Sequence, residues 1–376
     1  MTTDAPLKPT PRWKEVYDQL LVDLHARRYG SDFYSIAEVC RRFEVSQITA
    51  IRALNELASR KLIEKIAGKG NVVRRVEQTF PIWLITPDAT NGSYGSMDSA
   101  IRRRVAGVTR VAGQLGLSLD FVSEARLLQL FPRQDGPVGF MVPHQISHRT
   151  IDFLREHRLP YVMLDTLEST STPPYARVDR VRAGYLGTRH LLDLGHRRIG
   201  WITGLLSRRN FRDRLRGYRD ALREAGVPFR WSLIRETETN ETGRIRTALR
   251  SLLAMRRPPT ALLTGDDYRA IDVLDECRKL QIHVPGELSV VSYPNDAESR
   301  LTTPPLTVVD ANFEKVGEAA VRLLMEQVLA GADAAGQCAQ IEPTLVVRGS
   351  TGPARPRTSA RSKHHVSTRS PSEVKP

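Results

Sequence analysis

Residues 185–204 read YLGTRHLLDLGHRRIGWITG. Leu191 and Leu194 pack one face of a helix expected over 183–194. Gly195 suits the left-handed conformation that closes a helix. The apolar run 199–202 that follows reads as a buried strand. The same texture spreads outward in both directions. Short apolar runs recur at 82–85, 117–122, 138–142, 161–164, 261–264 and 288–292. Helical patterns lie between them, at 97–113, 147–158, 214–225, 242–254, 268–280 and 313–329. Strands that alternate with helices give a mostly parallel, doubly wound α/β sheet. Ligands of such sheets bind beyond the carboxyl ends of the strands.

The chain has 376 residues, enough for two or three domains. With 40% hydrophobic and 26% charged residues, it is neither collagen-like nor wholly disordered. No apolar run reaches the roughly 18 residues a transmembrane helix needs. The first 21 residues lack a basic flank followed by an apolar run, so no secretory signal is expected. Cys40, Cys277 and Cys338 are odd in number and far apart, which opposes a disulfide framework or a zinc site and fits the cytoplasm. Each reads as a small buried apolar residue. His144 and His148 have i, i+4 spacing but no HExxH motif. No nucleophile elbow, Walker loop or dinucleotide fingerprint is present. No enzyme, metal or cofactor is expected, and His196 in the GHRRI turn reads as structural. The net charge is +14, and its excess lies at the two ends, which suggests a polyanionic partner.

The N-terminal end supplies a candidate for that partner's binding site. Trp13, Val16, Tyr17, Leu20, Leu21 and Leu24 share one helix face over 13–28. Ser35 with Glu38 forms a capping box ahead of a short helix at 36–43. Ser46 caps a third helix at 47–60. Its buried face is expected to be Ile48, Ile51, Leu54 and Leu57, with Gln47, Thr49, Ala50 and Arg52 exposed. Two short helices joined by a tight turn suit a helix-turn-helix, whose second helix reads base edges in the major groove. Residues 62–75 then read as a β-hairpin with a glycine-rich basic tip. Such a wing can lay Lys69 against phosphates. The same arrangement could serve protein contacts alone.

The stretch 45–73, VSQITAIRALNELASRKLIEKIAGKGNVV, resembles the winged helix of the GntR family. Ser46, Thr49, Ala53, Leu54, Leu57, Leu62, Ile63, Gly68 and Gly70 fall in step with that family's pattern. The resemblance implies DNA contacts at Ser46, Gln47, Thr49 and Arg52, with Gly70 a wing position. The family's Pro-Ser-x-Arg is absent. Gln47 and Ile51 stand where the family has arginines, so the operator should differ from the common consensus.

The body resembles the effector domain of the LacI/GalR family, which shares the periplasmic-binding-protein fold. Besides 185–204, the carriers are RLRGYRDALREAGV at 214–227, the long stretch 258–295 and LTTPPLTVVD at 301–310. The combination resembles the hybrid arabinose-repressor type. It implies a winged helix-turn-helix DNA-binding domain at 1–76 and a link at 77–80. A two-lobed effector domain follows at 81–349, with a disordered basic tail at 350–376. One lobe is expected over 81–179 with 311–331, the other over 180–310 with 340–349. The tail is either an inert extension or a source of nonspecific phosphate attraction.

Effector contacts implied by the resemblance are Arg208, Asn210, Arg214 and Asp267 from the second lobe. Arg214 could instead brace its loop through an ion pair. Asp165, at the end of the strand 161–164, and Tyr94 belong to the first lobe. Tyr94 could stack on a sugar ring or simply pack its loop. The carboxylate that many members place after the SVxGF strand is Pro294 here, beside Asn295 and Asp296. Two arginines without that carboxylate would also suit an anionic sugar. The expected protein is a cytoplasmic, homodimeric, ligand-responsive repressor of carbohydrate-utilisation genes. Its partners are a double-stranded DNA operator and a small sugar or sugar derivative sensed between two lobes, with no membrane. A regulator sensing a purine-like corepressor and a solute-binding protein for uptake are the alternatives.

Overall fold

The computed structural model describes residues 11–25, 32–59, 62–67, 70–73, 80–87, 99–130, 138–143, 146–165, 174–238, 242–330 and 338–354. Three helices come first: α1 (Arg12–His25), α2 (Ile36–Phe43) and α3 (Gln47–Ser59). They share one core, built from Val16, Tyr17, Leu20 and Leu24 of α1, Val39 of α2, and Ala50, Ala53, Leu54 and Leu57 of α3. The capping box is present, with Ser35 accepting from the Glu38 amide and Glu38 reaching back to the Ser35 amide. α2 ends at Glu44, whose φ of +51° makes the left-handed turn into α3.

Behind α3, β1 (Ile63–Ile66) and β2 (Gly70–Val73) pair antiparallel, Ile63 opposite Val73 and Ile66 opposite Gly70. Gly70 takes a φ of +87°, open to glycine without strain. The segment before α2 is stitched to this hairpin. The Phe33 amide donates to Asn71 O at 2.7 Å, and Asn71 Nδ2 donates to Tyr34 O at 2.7 Å.

One correction concerns α3. The expected buried residues Ile48 and Ile51 are 80% and 38% exposed, and Ala50 is fully buried instead. The buried stripe is Ala50, Ala53, Leu54 and Leu57, with the small side chains against α1.

Two parallel sheets follow. The first runs in the order β13-β7-β6-β5-β3-β4, from β3 (Ile82–Thr86), β4 (Leu119–Ser123), β5 (Gly139–Pro143), β6 (Tyr161–Leu164), β7 (Tyr175–Val178) and β13 (Cys338–Ile341). Its helices are α4 (Ser99–Gln114), α5 (Glu124–Leu130), α6 (His148–Glu156) and α11 (Phe313–Ala330). α4 and α11 cross at two glycines. A Cβ on Gly107 would lie 1.9 Å from the Glu314 carbonyl oxygen, and one on Gly317 would lie 2.0 Å from that of Arg104.

The second sheet runs β14-β12-β11-β10-β8-β9. Its strands are β8 (Ile199–Thr203), β9 (Ile234–Glu236), β10 (Ala261–Thr264), β11 (Ser289–Ser292), β12 (Thr307–Asp310) and β14 (Thr344–Val346). Helices α7 (Arg180–Asp193), α8 (Arg209–Glu224), α9 (Thr242–Leu253) and α10 (Asp267–Lys279) connect them. In each sheet the first strand is flanked by the next two, β3 by β4 and β5, β8 by β9 and β10. Strand order therefore reverses there, the position at which doubly wound sheets take ligands.

The chain divides into two compact units. One holds residues 1–183, 208–214 and 310–344; the other holds 184–207, 215–309 and 345–376. Three boundaries differ from expectation. Residues 208–214, which include the first turn of α8, group with the first unit. Residues 338–341 pair with β7 of the first sheet, not with the second. The tail does not begin at 350: Ser350 is fully buried, its carbonyl accepts from the Val290 amide, and its hydroxyl accepts from that of Thr307. The Ala354 amide still donates to Leu194 O.

Candidate functional site

The first candidate surface is the outward side of α3. The turn Glu44-Val45-Ser46 leaves Ser46, Gln47 and Ile48 exposed at its start. Ser46 caps the helix, its Oγ accepting from the Thr49 amide at 3.3 Å and lying 3.0 Å from Thr49 Oγ1. Of the four expected contact residues on α3 and its cap, Ser46, Gln47 and Arg52 are exposed and Thr49 is partly buried. The Arg52 guanidinium lies over the Trp13 ring, 4.4 Å from its centroid. This contact orients the cation along the helix surface. One turn further, Asn55 Oδ1 accepts from Lys65 Nζ of the hairpin at 2.7 Å. Gly70 is exposed on the hairpin, while Lys69 lies outside the described residues. Sequence reasoning missed Ile48, Ile51 and Asn55, which line a shallow groove with Arg52, Glu56 and Ser59.

The second candidate surface lies at the carboxyl end of the first sheet. Asp165 follows β6 with a φ of +103° and is 5% exposed. One carboxylate oxygen accepts from Arg104 Nη2 at 3.0 Å and the other from Arg180. Arg104 is itself buried and stacks on Phe313, 4.4 Å from the ring centroid. Arg180 also approaches Asp213 at 4.0 Å, and Arg209 lies 3.5 Å from the same carboxylate. Asp213 and Arg209 of α8 are thereby linked to Asp165 through Arg180 within one unit. Arg208 is exposed and Asn210 half-buried. Arg214 is buried, donates from Nε to Asn210 O at 3.2 Å and lies over Phe211. Arg104, Arg180 and Asp213 were missed. A signal for Arg104 was available: a charged side chain on the apolar stripe of α4, among Ile101, Val108 and Val111.

Asp267 sits elsewhere, in the second unit, and only 1% of it is exposed. Its oxygens accept from the Ser292 hydroxyl and from the Asp296 amide, the latter at 2.6 Å. Burial pushes its carboxyl up to about 6, against the pull of those two donors. The expected effector contact is thus a tie between α10 and the loop after β11. Its neighbour Asp266 caps α10 by accepting from the Arg269 amide. The buried Arg269 side chain pairs with Asp266 and donates from Nε to Thr237 Oγ1 at 2.8 Å. Beside Pro294, Asn295 Oδ1 accepts from Arg348 Nη2 at 2.7 Å.

His196 is buried in the second unit against Thr260, Ser289 and Gly352, and burial lowers its basicity. These partners fit a structural role. Tyr94 lies outside the described residues. Among the described residues, no cluster of His, Cys, Asp and Glu could hold a metal ion. No described helix is long and apolar enough to cross a membrane.

Comparisons with known proteins bear on the fold and the family. A periplasmic binding protein-like domain matches residues 188–351. The HTH-type transcriptional repressor PurR of Klebsiella pneumoniae subsp. pneumoniae is 30% identical over 334 residues, covering 84% of this chain and 96% of that protein. A solved transcriptional regulator LacI from Bacillus cereus subsp. cytotoxis has a TM-score of 0.61 at 23% identity, over 74% of this chain and all of that one. The complex of the transcriptional regulator CelR with cellobiose has a TM-score of 0.61 at 22% identity, over 91% of this chain and all of that one.

Proposed function

This chain belongs to the LacI/GalR family of transcriptional regulators, and on that premise we propose that it is a dimeric repressor of carbohydrate-utilisation genes, released or recruited by a small sugar. It is a DNA-binding regulator that responds to a small molecule. The finer reading gives it a winged helix-turn-helix of the GntR type. Its main support is the exposed outer face of α3, set on a closed three-helix core with the β1–β2 hairpin directly behind it. Ser46, Gln47, Thr49 and Arg52 serve as the DNA-contacting set, and Lys69 and Gly70 as the contacts of the hairpin. One such module spans few base pairs, so a two-fold dimer on a pseudo-palindrome is the economical arrangement.

For the effector, the supporting observation is the charged chain Asp165–Arg180–Asp213–Arg209 at the carboxyl end of the first sheet. Carboxylates and guanidinium groups can each make two hydrogen bonds to vicinal hydroxyls. The CelR structure carries cellobiose, and a sugar or sugar derivative is the class assigned to this chain as well. Arg208, Asn210 and Tyr94 serve as its contacts. Asp165 and Arg214 frame the site from behind, and Asp267 acts through the loop it ties.

The test is a thermal-shift panel of mono- and disaccharides, sugar acids, sugar phosphates and purine bases. It is followed by fluorescence anisotropy on a selected duplex with and without the hit. Gln47→Ala and Arg52→Ala should weaken that duplex specifically. Arg208→Ala should abolish the ligand response and leave ligand-free DNA affinity nearly intact. A hit only among purines, or unchanged footprints for Gln47→Ala and Arg52→Ala, would sink the corresponding half of the proposal.

A further inference from the structure

Ile48 has no partner in the core beneath it. At 80% exposure it is among the most exposed large apolar side chains of the described residues. It occupies the second position of α3, between Gln47 and Thr49. One turn on, Ile51 is 38% exposed on the same side, followed by Asn55. The stripe 48, 51, 55 has helical spacing and forms one ridge. The opposite stripe, Ala50, Ala53, Leu54 and Leu57, already fills the core. The ridge is therefore surplus to folding. Apolar side chains in water gain by being covered.

The surroundings say what covers them. Gln47 and Arg52 stand beside the ridge, Lys65 beside Asn55, and Arg41 and Arg42 at the end of α2, all of them exposed. Exposed Glu44 in the turn before α3, Glu64 on β1 and the partly buried Glu56 stand among them, but the four cations Arg41, Arg42, Arg52 and Lys65 outnumber these carboxylates and suit a polyanion better than an apolar protein surface. On the major-groove face of DNA, the only apolar feature is the 5-methyl group of thymine.

We propose that Ile48 and Ile51 of α3 are specificity-determining contacts that read thymine methyl groups in each operator half-site. This rests on the DNA-reading role assigned to α3 above. It explains the chemistry of Ile51 in particular, which cannot make the bidentate hydrogen bonds to guanine that an arginine makes. The positions facing Ile48 and Ile51 should be A·T pairs, with the thymine on the strand nearest the ridge.

The experiment selects a duplex from a randomised library with the full chain. It then replaces each thymine of that duplex by deoxyuridine, one at a time. This change removes a methyl and leaves every hydrogen-bonding group in place. At the contacted positions the full-length protein should lose roughly fourfold in affinity per methyl, which corresponds to about 0.8 kcal/mol for one buried methyl-sized group. Ile48→Ala should be indifferent to deoxyuridine at one of these positions, and Ile51→Ala at the other. Both variants should unfold at the wild-type temperature, since neither side chain belongs to the core. Selected duplexes with no thymine-methyl dependence would overturn the inference while leaving α3 as the DNA reader. So would a dependence that persists unchanged in both variants. Failure to select any duplex would overturn the DNA-reading role itself, and this inference with it. A dimer that dissociates on Ile48→Ala in the absence of DNA would show that the ridge binds a second copy instead.

Discussion

Asp165 decides whether the carboxyl end of the first sheet is framework or contact surface. Asp165→Asn keeps the shape of the side chain and its tolerance for a positive φ, but removes the charge. Arg104 and Arg180 then remain, with side-chain exposures of only 5% and 10%. Breaking a buried pair by removing one partner typically destabilises by about 3–5 kcal/mol. Arg180 keeps Asp213 at 4.0 Å, which offsets part of the loss, so about 3 kcal/mol is expected. Asp165→Ala should cost about 1 kcal/mol more than Asp165→Asn, since alanine tolerates a φ of +103° poorly. Asp165→Gly should recover about 1 kcal/mol of that backbone component. Combining Asp165→Asn with Arg104→Met should cost less than the two single changes summed, by about 0.5–3 kcal/mol, because the two side chains share one interaction. The measurement is urea unfolding of the full chain, followed by circular dichroism and by tryptophan fluorescence, with Trp83 on β3 as a reporter within the first sheet. A loss under about 1 kcal/mol for Asp165→Asn, accompanied by loss of the ligand response, would refute the framework reading and make Asp165 a direct effector contact.

Gly107→Ala drives a methyl into the Glu314 backbone, so it should destabilise by roughly 1–3 kcal/mol or more; a wild-type melting temperature would mean that α4 and α11 can separate freely. Asp267, raised from 3.8 to about 6 by burial, binds its proton more tightly when folded than when unfolded, so stability falls as pH rises through this interval. The stability difference between the wild type and Asp267→Asn should therefore shift against the wild type between about pH 4 and pH 6, and a difference flat in pH by chemical denaturation would contradict it. Ser35→Ala removes the acceptor of the capping box at α2 and should cost about 1 kcal/mol, read as a lower melting temperature of the isolated N-terminal transition.

Local signals were the legible ones. The bounds of α2 follow from Ser35, Glu38 and the αL residue Glu44, all within ten residues of chain. The strands Tyr161–Leu164 and Ala261–Thr264 are uninterrupted apolar runs, buried on both faces as parallel strands are. The short edge strands β9, β13 and β14 were not legible. Each has three or four residues, and β13 is only half-buried throughout, so no apolar run marks it. The crossings between units were hidden for a related reason. Only pairing with β7 reveals that 338–341 belongs to the first sheet.

The site was less legible than the fold because its bonds span the chain. Asp165 stood out as a polar residue ending a strand, yet its partner Arg104 lies 61 residues away. A sequence offers no measure of that proximity. Asp267, expected as an effector contact, is buried and bonded to the loop after β11. Its burial follows from the turn that aims the first residue of α10 at the loop after β11, and the donors waiting there are Ser292 and Asp296.

The α3 error has a different origin. Helical spacing alone offers two stripes on this helix, one through Ile48 and Ile51 and one through Ala50 and Ala53, and both end near Leu54 and Leu57. Hydrophobicity favours the isoleucines. Packing favours the alanines, because α1 approaches closely enough that only small side chains fit between the backbones. A surface helix that turns its larger apolar residues outward has been shaped by something other than its own core. Under the DNA-reading role proposed for α3, that influence is the groove of the DNA.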